Sequence, residues 1–228
     1  MRITHLWRYP VKSFAGEPLT EVRLDRGGMQ FDRRYVIIDG DPLHRGKALT
    51  ARLVADLLAH RATVVGDAIR VQVPDGRTFA MDGAFSSYLA SALSRPVSIE
   101  VASVDGEPFH DAHDILVLSD VSVRALEEEW GAPVNPLRFR PNIMLDGDGL
   151  APYGENDWVG RRFKVGDAIL EGAALDQRCV LTTIDPETLV KDPSFLRFIV
   201  ERHDKCFGLY CRVLEAGKIG LGDEWIAL

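Results

Sequence analysis

The sequence predicts a mainly β protein with a few helices, an α+β chain in which a β-barrel-like N-terminal lobe packs on a second β-barrel domain. Short apolar runs separated by Gly and Pro turns recur through most of its 228 residues, as in all-β folds. Helical spacing occurs in only three stretches. Sheets built from many short strands tend to close, because closure removes open edges, so we infer a barrel from the number of strands.

The first hundred residues contain six predicted strands: Ile3–Tyr9, Leu19–Leu24, Arg34–Asp39, Ala62–Val65, Ala68–Val73 and Arg77–Met81. In the fifth strand, apolar and polar residues alternate from Ile69 to Val73, which predicts one buried and one solvated face. Pro74-Asp75-Gly76 predicts a hairpin turn and Gly27-Gly28 a second tight reversal.

A helix is predicted over Phe85–Leu93, and Ser119 or Asp120 is expected to cap another that runs to about Trp130. A short third helix is predicted at Leu196–His203. Strands are expected at Asn142–Leu145, Arg161–Val165, Ala168–Glu171, Val180–Ile184, Phe207–Leu214 and Glu224–Leu228. Because Ser103–Asp114 is polar, we expect two domains, residues 1–103 and 104–228.

Composition and charge exclude several classes of protein. A net charge of −7 argues against a nucleic-acid-binding surface. The sequence contains no stretch of about 20 apolar residues that could span a membrane, and its start lacks the apolar region of a secretory signal. We therefore expect a cytoplasmic protein. Three cysteines are too few for a secreted disulfide framework.

Cys179 lies in the segment Asp176-Gln177-Arg178-Cys179 and is followed by Thr182-Thr183 and Asp185-Pro186. A neighbouring guanidinium favours a thiolate, so this cysteine is a candidate for a reactive or metal-bound group. The alternative is a buried small apolar side chain, the common state of free cysteine. Cys206 and Cys211 would lie on opposite faces of a strand, where they cannot bind one ion together. We interpret both as packing residues, because cysteine is most often buried.

Two basic segments contain the donors that an anionic ligand requires. Lys12-Ser13 and Asp32-Arg33 combine a point charge, a hydroxyl and a bidentate fork at predicted strand ends, although solvated surface charges are the usual state of such residues. In Arg138-Phe139-Arg140-Pro141-Asn142, strand alternation would place the arginines and Asn142 on one face. That face suits either an anion or a salt bridge between the lobes.

His110-Asp111-Ala112-His113-Asp114 contains metal-ligating residue types but has no evident remote ligand. We favour a loop at the rim of a pocket, with a metal site as the alternative. No Gly-rich phosphate loop, HExxH, GxSxG or EF-hand pattern occurs.

Seven motifs occur in an order that resembles one family: Tyr9-Pro10-Val11-Lys12-Ser13, Asp32-Arg33, Thr50-Ala51-Arg52, Phe139-Arg140-Pro141-Asn142, Glu155-Asn156-Asp157-Trp158, Arg178-Cys179 with Thr183-Ile184-Asp185-Pro186, and Phe207-Gly208 with Gly222-Asp223. The chain resembles MOSC-domain proteins that carry the N-terminal MOSC β-barrel domain, the group of the mitochondrial amidoxime-reducing component and its bacterial relatives. The resemblance covers nearly the whole chain.

The resemblance implies a molybdenum cofactor, a molybdenum–molybdopterin, at the junction of the two lobes. By the same resemblance, Cys179 is the protein ligand of the metal, which agrees with the preference of thiolates for soft metals. Lys12, Ser13 and Arg33 are expected to hold the pterin phosphate. Further cofactor contacts are expected from two arginines, two threonines and one asparagine: Arg140, Arg178, Thr182, Thr183 and Asn142.

The resemblance also implies an oxidoreductase that removes oxygen from N-hydroxylated compounds such as hydroxylamines and amidoximes. Asp185 or a histidine at the rim is expected to relay protons. Electrons are expected from a separate protein, either a ferredoxin, a flavodoxin or a cytochrome b5-like protein with its reductase. The alternatives are a carrier of the molybdenum cofactor and a sulfur carrier that uses a cysteine persulfide.

One departure from the family concerns Asp176. Relatives often have a cysteine three residues before the ligand, where this chain has Asp176. We expect the change to alter the surroundings of the ligand and to leave the ligand itself in place.

Overall fold

A computed structural model describes residues 1–102 and 108–228. It confirms a mainly β protein with few helices, since the described residues form sixteen strands and three α-helices. The predicted domain boundary between residues 103 and 104 lies outside the described residues, as does part of the predicted Ser103–Asp114 linker.

The strands are listed here in chain order: β1 (Ile3–Arg8), β2 (Glu17–Leu19), β3 (Glu21–Asp25), β4 (Gly28–Met29), β5 (Tyr35–Asp39), β6 (Arg61–Val65), β7 (Ala68–Gln72), β8 (Thr78–Ala80), β9 (Val97–Val101), β10 (Ile115–Ser119), β11 (Ile143–Leu145), β12 (Arg162–Val165), β13 (Ala168–Gln177), β14 (Cys206–Glu215), β15 (Gly217–Gly220) and β16 (Trp225–Ala227). The helices are α1 (Gly83–Ala92), α2 (Asp120–Trp130) and α3 (Pro193–Arg202). Four 3-10 turns cover Ala55–Ala59, Pro136–Phe139, Gly154–Trp158 and Val180–Thr183.

The chain divides into two compact units. The larger unit contains Met1–Trp7, Pro18–Gln30 and Asp111–Leu228, and the smaller unit contains Arg8–Glu17 and Phe31–His110. Two early segments therefore pack with the C-terminal part of the chain. Strand pairing explains this, because β1 pairs with β11 and β3 pairs with β15.

The larger unit contains a closed barrel. Its sheet has the order β16-β12-β13-β14-β10-β11-β1-β2. The start of β1 is also hydrogen-bonded to the residues that precede and begin β16. The amide of Ile3 donates to the Asp223 carbonyl at 3.0 Å, and the amides of Gly222 and Trp225 donate to Ile3 and Met1 at 2.9 Å. These bonds join the two ends of the sheet, so the barrel inferred from strand number is confirmed in this unit.

Apolar side chains fill the inside of this barrel, among them Leu6, Ile143, Phe163, Leu209 and Cys211. Each side chain removed from water in such a core stabilises the fold by about 1.5–3 kcal/mol. A glycine in β13 permits the closest backbone approach. A Cβ atom at Gly172 would lie 2.2 Å from the Trp158 carbonyl oxygen, so an alanine there would displace the backbone.

The smaller unit contains two sheets and helix α1. β5 pairs with β9, and β6, β7 and β8 form an antiparallel sheet with the predicted hairpin between β7 and β8. The Asp82 carboxylate caps α1 by accepting from the amides of Ala84 and Phe85, which satisfies donors that a helix start leaves unpaired. Phe85 and Leu89 of α1 are fully buried.

The strand predicted at Val180–Ile184 is wrong. Val180–Thr183 forms a 3-10 turn in which the Thr182 amide donates to the Cys179 carbonyl at 2.9 Å. The Thr183 hydroxyl donates to the Val180 carbonyl at 2.7 Å. Local hydrogen bonds of this kind compete with the hydrogen bonds between strands. The β-branched residues of this segment favour a strand, so the sequence pattern did not predict the turn.

Four observed strands, β4, β9, β10 and β15, contain no residue of any predicted strand. Every residue of β10 is buried, and it pairs in parallel with β11 and antiparallel with β14. A central strand covered on both faces is a continuous apolar run without alternation, so the period-two pattern does not detect it. β13 is also longer than predicted and reaches Gln177.

Candidate functional site

Cys179 lies two residues beyond the end of β13, at the start of the Val180–Thr183 turn. Its thiol is half-buried, whereas Cys211 is fully buried in the barrel. Burial raises the pKa of the Cys211 thiol far above its usual range. Burial, together with the Asp204 carboxylate, also raises the pKa of the half-buried Cys206. Cys211 is therefore the packing residue that the sequence predicted, and Cys179 keeps partial access to solvent.

Arg178 anchors the segment that carries Cys179. Its buried guanidinium forms an ion pair with the buried Asp176 carboxylate. Nη2 donates to the Phe139 carbonyl at 3.0 Å, and Nε donates to the Thr182 hydroxyl at 3.4 Å. The guanidinium also lies 5.1 Å from the centre of the Phe139 ring. Through these contacts, Arg178 holds the Phe139 and Thr182 segments next to the segment that carries Cys179.

Arg140 follows the Pro136–Phe139 turn and has a left-handed backbone, with φ 60°. The predicted alternation of Arg138, Arg140 and Asn142 along one strand face is therefore wrong, because the chain turns there and β11 begins only at Ile143. Arg138 lies 3.5 Å from Asp185, in an ion pair within the larger unit. Through Phe139, Arg178 connects the Arg140 segment with the Cys179 segment.

Asn142 is buried and joins neighbouring strands of the barrel. Its side-chain oxygen accepts from the Leu116 amide at 3.1 Å, and its Nδ2 donates to the Trp7 carbonyl at 3.2 Å. The amide group therefore bonds the backbone on both sides of β11. This contact pattern indicates that Asn142 orients the chain next to Arg140.

The two threonines predicted near the cofactor are both buried. Thr182 accepts a hydrogen bond from Arg178, and Thr183 donates to the backbone of its own turn. Both hydroxyls thus stabilise the turn that presents Cys179.

Asp185 is held as a carboxylate. Burial acts to raise its pKa, but hydrogen bonds from the amides of Thr188 and Glu187 and from the Thr188 hydroxyl outweigh burial, with Arg138 adding to them, so the pKa lies below its usual range. A carboxyl group with a lowered pKa holds a proton poorly near neutral pH. This geometry gives Asp185 a structural role and makes it a weak proton donor.

In the smaller unit, the segments of Lys12-Ser13 and Asp32-Arg33 lie together. The Arg33 amide donates to the Tyr9 carbonyl at 2.7 Å, and the fully buried Asp32 carboxylate accepts from the Tyr9 amide at 2.6 Å. Lys12 Nζ donates to the Phe109 carbonyl at 3.0 Å, and the Phe109 amide donates to the Arg33 carbonyl at 2.9 Å. Phe109 thereby links Lys12 with Arg33.

Left-handed backbone conformations occur at three residues of the predicted anion-binding set. Ser13 has φ 70°, Arg33 has φ 48° and Arg140 has φ 60°. For residues other than glycine, such conformations cost about 1–3 kcal/mol each and concentrate at ligand-binding sites. Six other non-glycine residues among those described share this conformation, so the backbone alone does not distinguish these three positions.

Sequence reasoning missed the residues that orient the basic groups. The Arg33 guanidinium lies over the Tyr9 ring, with its Cζ 4.7 Å from the ring centre. The Asp32 carboxylate forms an ion pair with the same guanidinium. The signal was present in the adjacent Asp32-Arg33 and in Tyr9-Pro10, but only folding brings these segments together. The role of Asp176 as the partner of Arg178 was missed for the same reason.

The His110–Asp114 loop shows no metal-binding arrangement. In residues 1–102 and 108–228, no three His, Cys, Asp or Glu side chains are placed to hold a metal ion. The His113 ring lies 5.6 Å from the ring of Tyr210. A loop at a pocket rim stays a prediction.

Family models match both parts of the chain. The MOSC N-terminal beta barrel domain matches residues 1–120, and the MOSC domain matches residues 107–225. The chain belongs to the MOSC family. The resemblance that the motifs indicated is thus confirmed.

Curated relatives cover nearly all of this MOSC chain. Mitochondrial amidoxime-reducing component 1 is 24% identical in Mus musculus and 26% identical in Homo sapiens. Each alignment covers 97% of this chain, with 80% of the mouse protein and 81% of the human protein. Molybdenum cofactor sulfurase of Caenorhabditis briggsae is 24% identical over 92% of this chain and 33% of its own length.

A solved structure supports the fold. The YuaD protein from Bacillus subtilis matches 97% of this MOSC chain and 92% of its own, with a TM-score of 0.51 and 14% identity. Across the part of the chain that the structure describes, no helix combines the length and apolar character needed to cross a membrane.

Proposed function

We propose that this MOSC protein binds a molybdenum cofactor and reduces N-hydroxylated compounds, such as hydroxylamines and amidoximes. The observation that carries the proposal is the position of Cys179, a half-buried thiol at a strand end within the family motif Arg178-Cys179. The names of the mouse and human relatives, amidoxime-reducing components, agree with this activity.

The donor set fits the cofactor. A thiolate suits a soft metal that already has sulfur ligands. A pterin phosphate needs cationic and hydroxyl donors, and the Lys12-Ser13 and Asp32-Arg33 segments supply both within the smaller unit.

The roles of the residues follow from their contacts. Cys179 is the proposed metal ligand, and Lys12, Ser13 and Arg33 are the proposed phosphate donors. Arg140 is a proposed contact of the cofactor, whereas five residues are proposed to support the site through the protein: Arg178, Thr182, Thr183, Asn142 and Asp185. When bound, the cofactor supplies two-electron chemistry toward the N–O bond.

Electrons must come from another molecule. We propose a separate electron-transfer protein, either a ferredoxin, a flavodoxin or a cytochrome b5-like protein with its reductase. Action in the cytoplasm is part of the same proposal.

The ligand assignment is tested by metal analysis. Protein made in a host that synthesises the cofactor is compared with the variants Cys179→Ala and Cys206→Ser. We expect molybdenum in the wild type and in Cys206→Ser, and its loss in Cys179→Ala, because a metal site depends on its thiolate ligand. Equal molybdenum in wild type and Cys179→Ala would refute the ligand assignment.

The activity is tested with the molybdenum-loaded protein, a model hydroxylamine and an artificial electron donor. Turnover by the wild type supports a reductase. A fully loaded protein without turnover would favour the alternative, a carrier of the cofactor.

Similarity to molybdenum cofactor sulfurase favours a second candidate, a sulfur carrier in which Cys179 holds a persulfide. The chain matches 33% of the length of that relative, and we propose a separate protein as the source of the sulfur. Mass spectrometry of freshly isolated protein decides this: one reducible extra sulfur on Cys179 supports the carrier, and its absence in sulfur-replete cells contradicts it.

A further inference from the structure

The ion pair of Asp176 and Arg178 is buried immediately before Cys179. Each residue has 5% of its surface exposed. Burying two opposite charges has a high desolvation cost, which is compensated only by close pairing and additional hydrogen bonds. A pair of this kind is therefore geometrically demanding, and it fixes the backbone on which both residues lie.

The guanidinium of Arg178 extends this constraint to two other segments. Besides Asp176, it contacts the Phe139 carbonyl at 3.0 Å and the Thr182 hydroxyl at 3.4 Å. A guanidinium is a planar, rigid fork, so its contacts hold their partners in a fixed relative position. Phe139 directly precedes the left-handed Arg140, and Thr182 belongs to the turn that begins at Cys179.

We propose that Asp176 is a positioning residue, which acts through Arg178 to fix the Cys179 thiol relative to Arg140. The carboxylate orients the guanidinium, and the guanidinium holds the two segments together. The effect on molybdenum rests on the proposed function, whereas the position of the thiol does not.

Two variants and one control test the proposal. Asp176→Asn removes the charge of the carboxylate, and Arg178→Lys keeps a cation but removes the fork. Glu171→Gln is the matched control, because Glu171 lies on the same strand and pairs with Arg162 at 3.2 Å and Arg212 at 3.1 Å. Near-ultraviolet circular dichroism verifies that each variant is folded.

The first readout is molybdenum per protein after expression in a cofactor-competent host. We expect about a tenfold or greater loss in both variants, the effect usual for residues that orient a metal ligand, and no loss in Glu171→Gln. The second readout is the rate at which iodoacetamide modifies Cys179 in the cofactor-free protein, followed by mass spectrometry. The rate is taken at its high-pH plateau, where the thiol is fully ionised and only its accessibility matters.

We expect the plateau rate to rise severalfold in Asp176→Asn and Arg178→Lys, because the Cys179 segment becomes less constrained. Asp176→Asn combined with Arg178→Lys should react no faster than Arg178→Lys alone, since Asp176 acts through Arg178. Additive effects, or wild-type rates in both single variants, overturn the proposal.

Failure of the proposed function is distinguishable from failure of this inference. If the wild type binds no molybdenum, the proposed function fails, and the plateau rates still decide whether Asp176 positions the thiol. If Asp176→Asn does not fold, a wild-type plateau rate in folded Arg178→Lys is sufficient to overturn the inference.

Discussion

Asp185 illustrates how the role of a single residue depends on its partners. The sequence places a carboxylate six residues after the candidate ligand, which is compatible with proton transfer. In the fold, this carboxylate accepts from the amides of Glu187 and Thr188 and pairs with Arg138. Its lowered pKa means that it stabilises the turn as an anion.

We predict that Asp185→Asn lowers the free energy of unfolding by about 1 kcal/mol at neutral pH, because hydrogen bonds to a charged acceptor become hydrogen bonds to a neutral one. Since the folded pKa is depressed, the stabilisation is present above the ordinary pKa of about 3.9 and is lost as pH falls through the folded value. Urea denaturation across the acidic range measures both effects.

The same variant separates structure from proton transfer. If Asp185 is structural, the pH profile of hydroxylamine reduction should keep its shape in Asp185→Asn. A displaced acidic limb would instead reinstate Asp185 as the proton relay.

At the scale of elements, His60 connects the 3-10 turn Ala55–Ala59 with β6. Its ring is buried against Phe14 and Phe85, with centroid distances of 5.2 and 6.3 Å. Nδ1 lies 3.0 Å from the Asp56 carbonyl, and Nε2 has no hydrogen-bond partner among the described residues. Burial lowers the pKa of His60 despite the opposing effect of Asp56.

His60 is therefore expected to make the protein less stable in acid. Because the folded pKa is lowered, the unfolded chain takes up a proton first as pH falls below about 6.5. Stability then falls by up to about 1.4 kcal/mol per pH unit until the folded pKa is reached.

Replacing His60 with Phe should weaken this pH dependence, which denaturation at about pH 7.5 and about pH 5.5 measures. His5→Phe is the control, because His5 is exposed. An unchanged difference in stability between the two pH values in His60→Phe would show that other groups cause the acid sensitivity.

The segment that follows Lys12-Ser13 is connected to the same element. The Ala15 amide donates to the His60 carbonyl at 2.9 Å, and Phe14 packs on the His60 ring. Residues directly after Lys12-Ser13 are thus held by the turn that contains His60, so the packing of this turn contributes to the position of the proposed phosphate donors.

At the scale of the whole molecule, closure of the barrel depends on the first residues of the chain. Met1 and Ile3 form backbone hydrogen bonds with the segment from Gly222 to Trp225. A closed barrel has no open edge at this place, so these amides are expected to open only when the barrel itself opens.

We predict slow hydrogen exchange for the amides of Ile3, Gly222 and Trp225, comparable with the amides that join β12 and β13. The outward-facing amides of the edge strand β8 serve as the fast-exchanging reference. Exchange of the closure amides at the β8 rate would contradict closure in solution.

Much of the fold was predictable where local patterns and tertiary packing agree. Alternation located β7, and the Pro74-Asp75-Gly76 turn located its hairpin with β8. Of the two proposed caps of α2, Ser119 and Asp120, the structure shows Ser119 as the cap. Prediction failed at β10, whose two buried faces remove alternation, and at Val180–Thr183, where threonine hydroxyls favour a turn.

The candidate site shows the same division. The residue types at Lys12, Arg33 and Cys179 made these residues candidates for an anion site and a reactive thiol, and the resemblance to the MOSC family favoured those roles, which stay predictions. The residues that orient these side chains could not be predicted from the sequence. Asp32 contacts Tyr9, and Arg178 contacts Phe139, only once the chain is folded.

The sequence by itself determined the β-rich class, the family and the residues that carry the proposed chemistry, because these depend on composition, local periodicity and ordered motifs. Only the tertiary structure decided that Arg178 pairs with Asp176 and bonds the Phe139 and Thr182 segments, that Asn142 joins strands and that Asp185 is held as an anion. The reason is physical: burial, ion pairing and hydrogen bonding depend on distances between segments that are far apart in the chain.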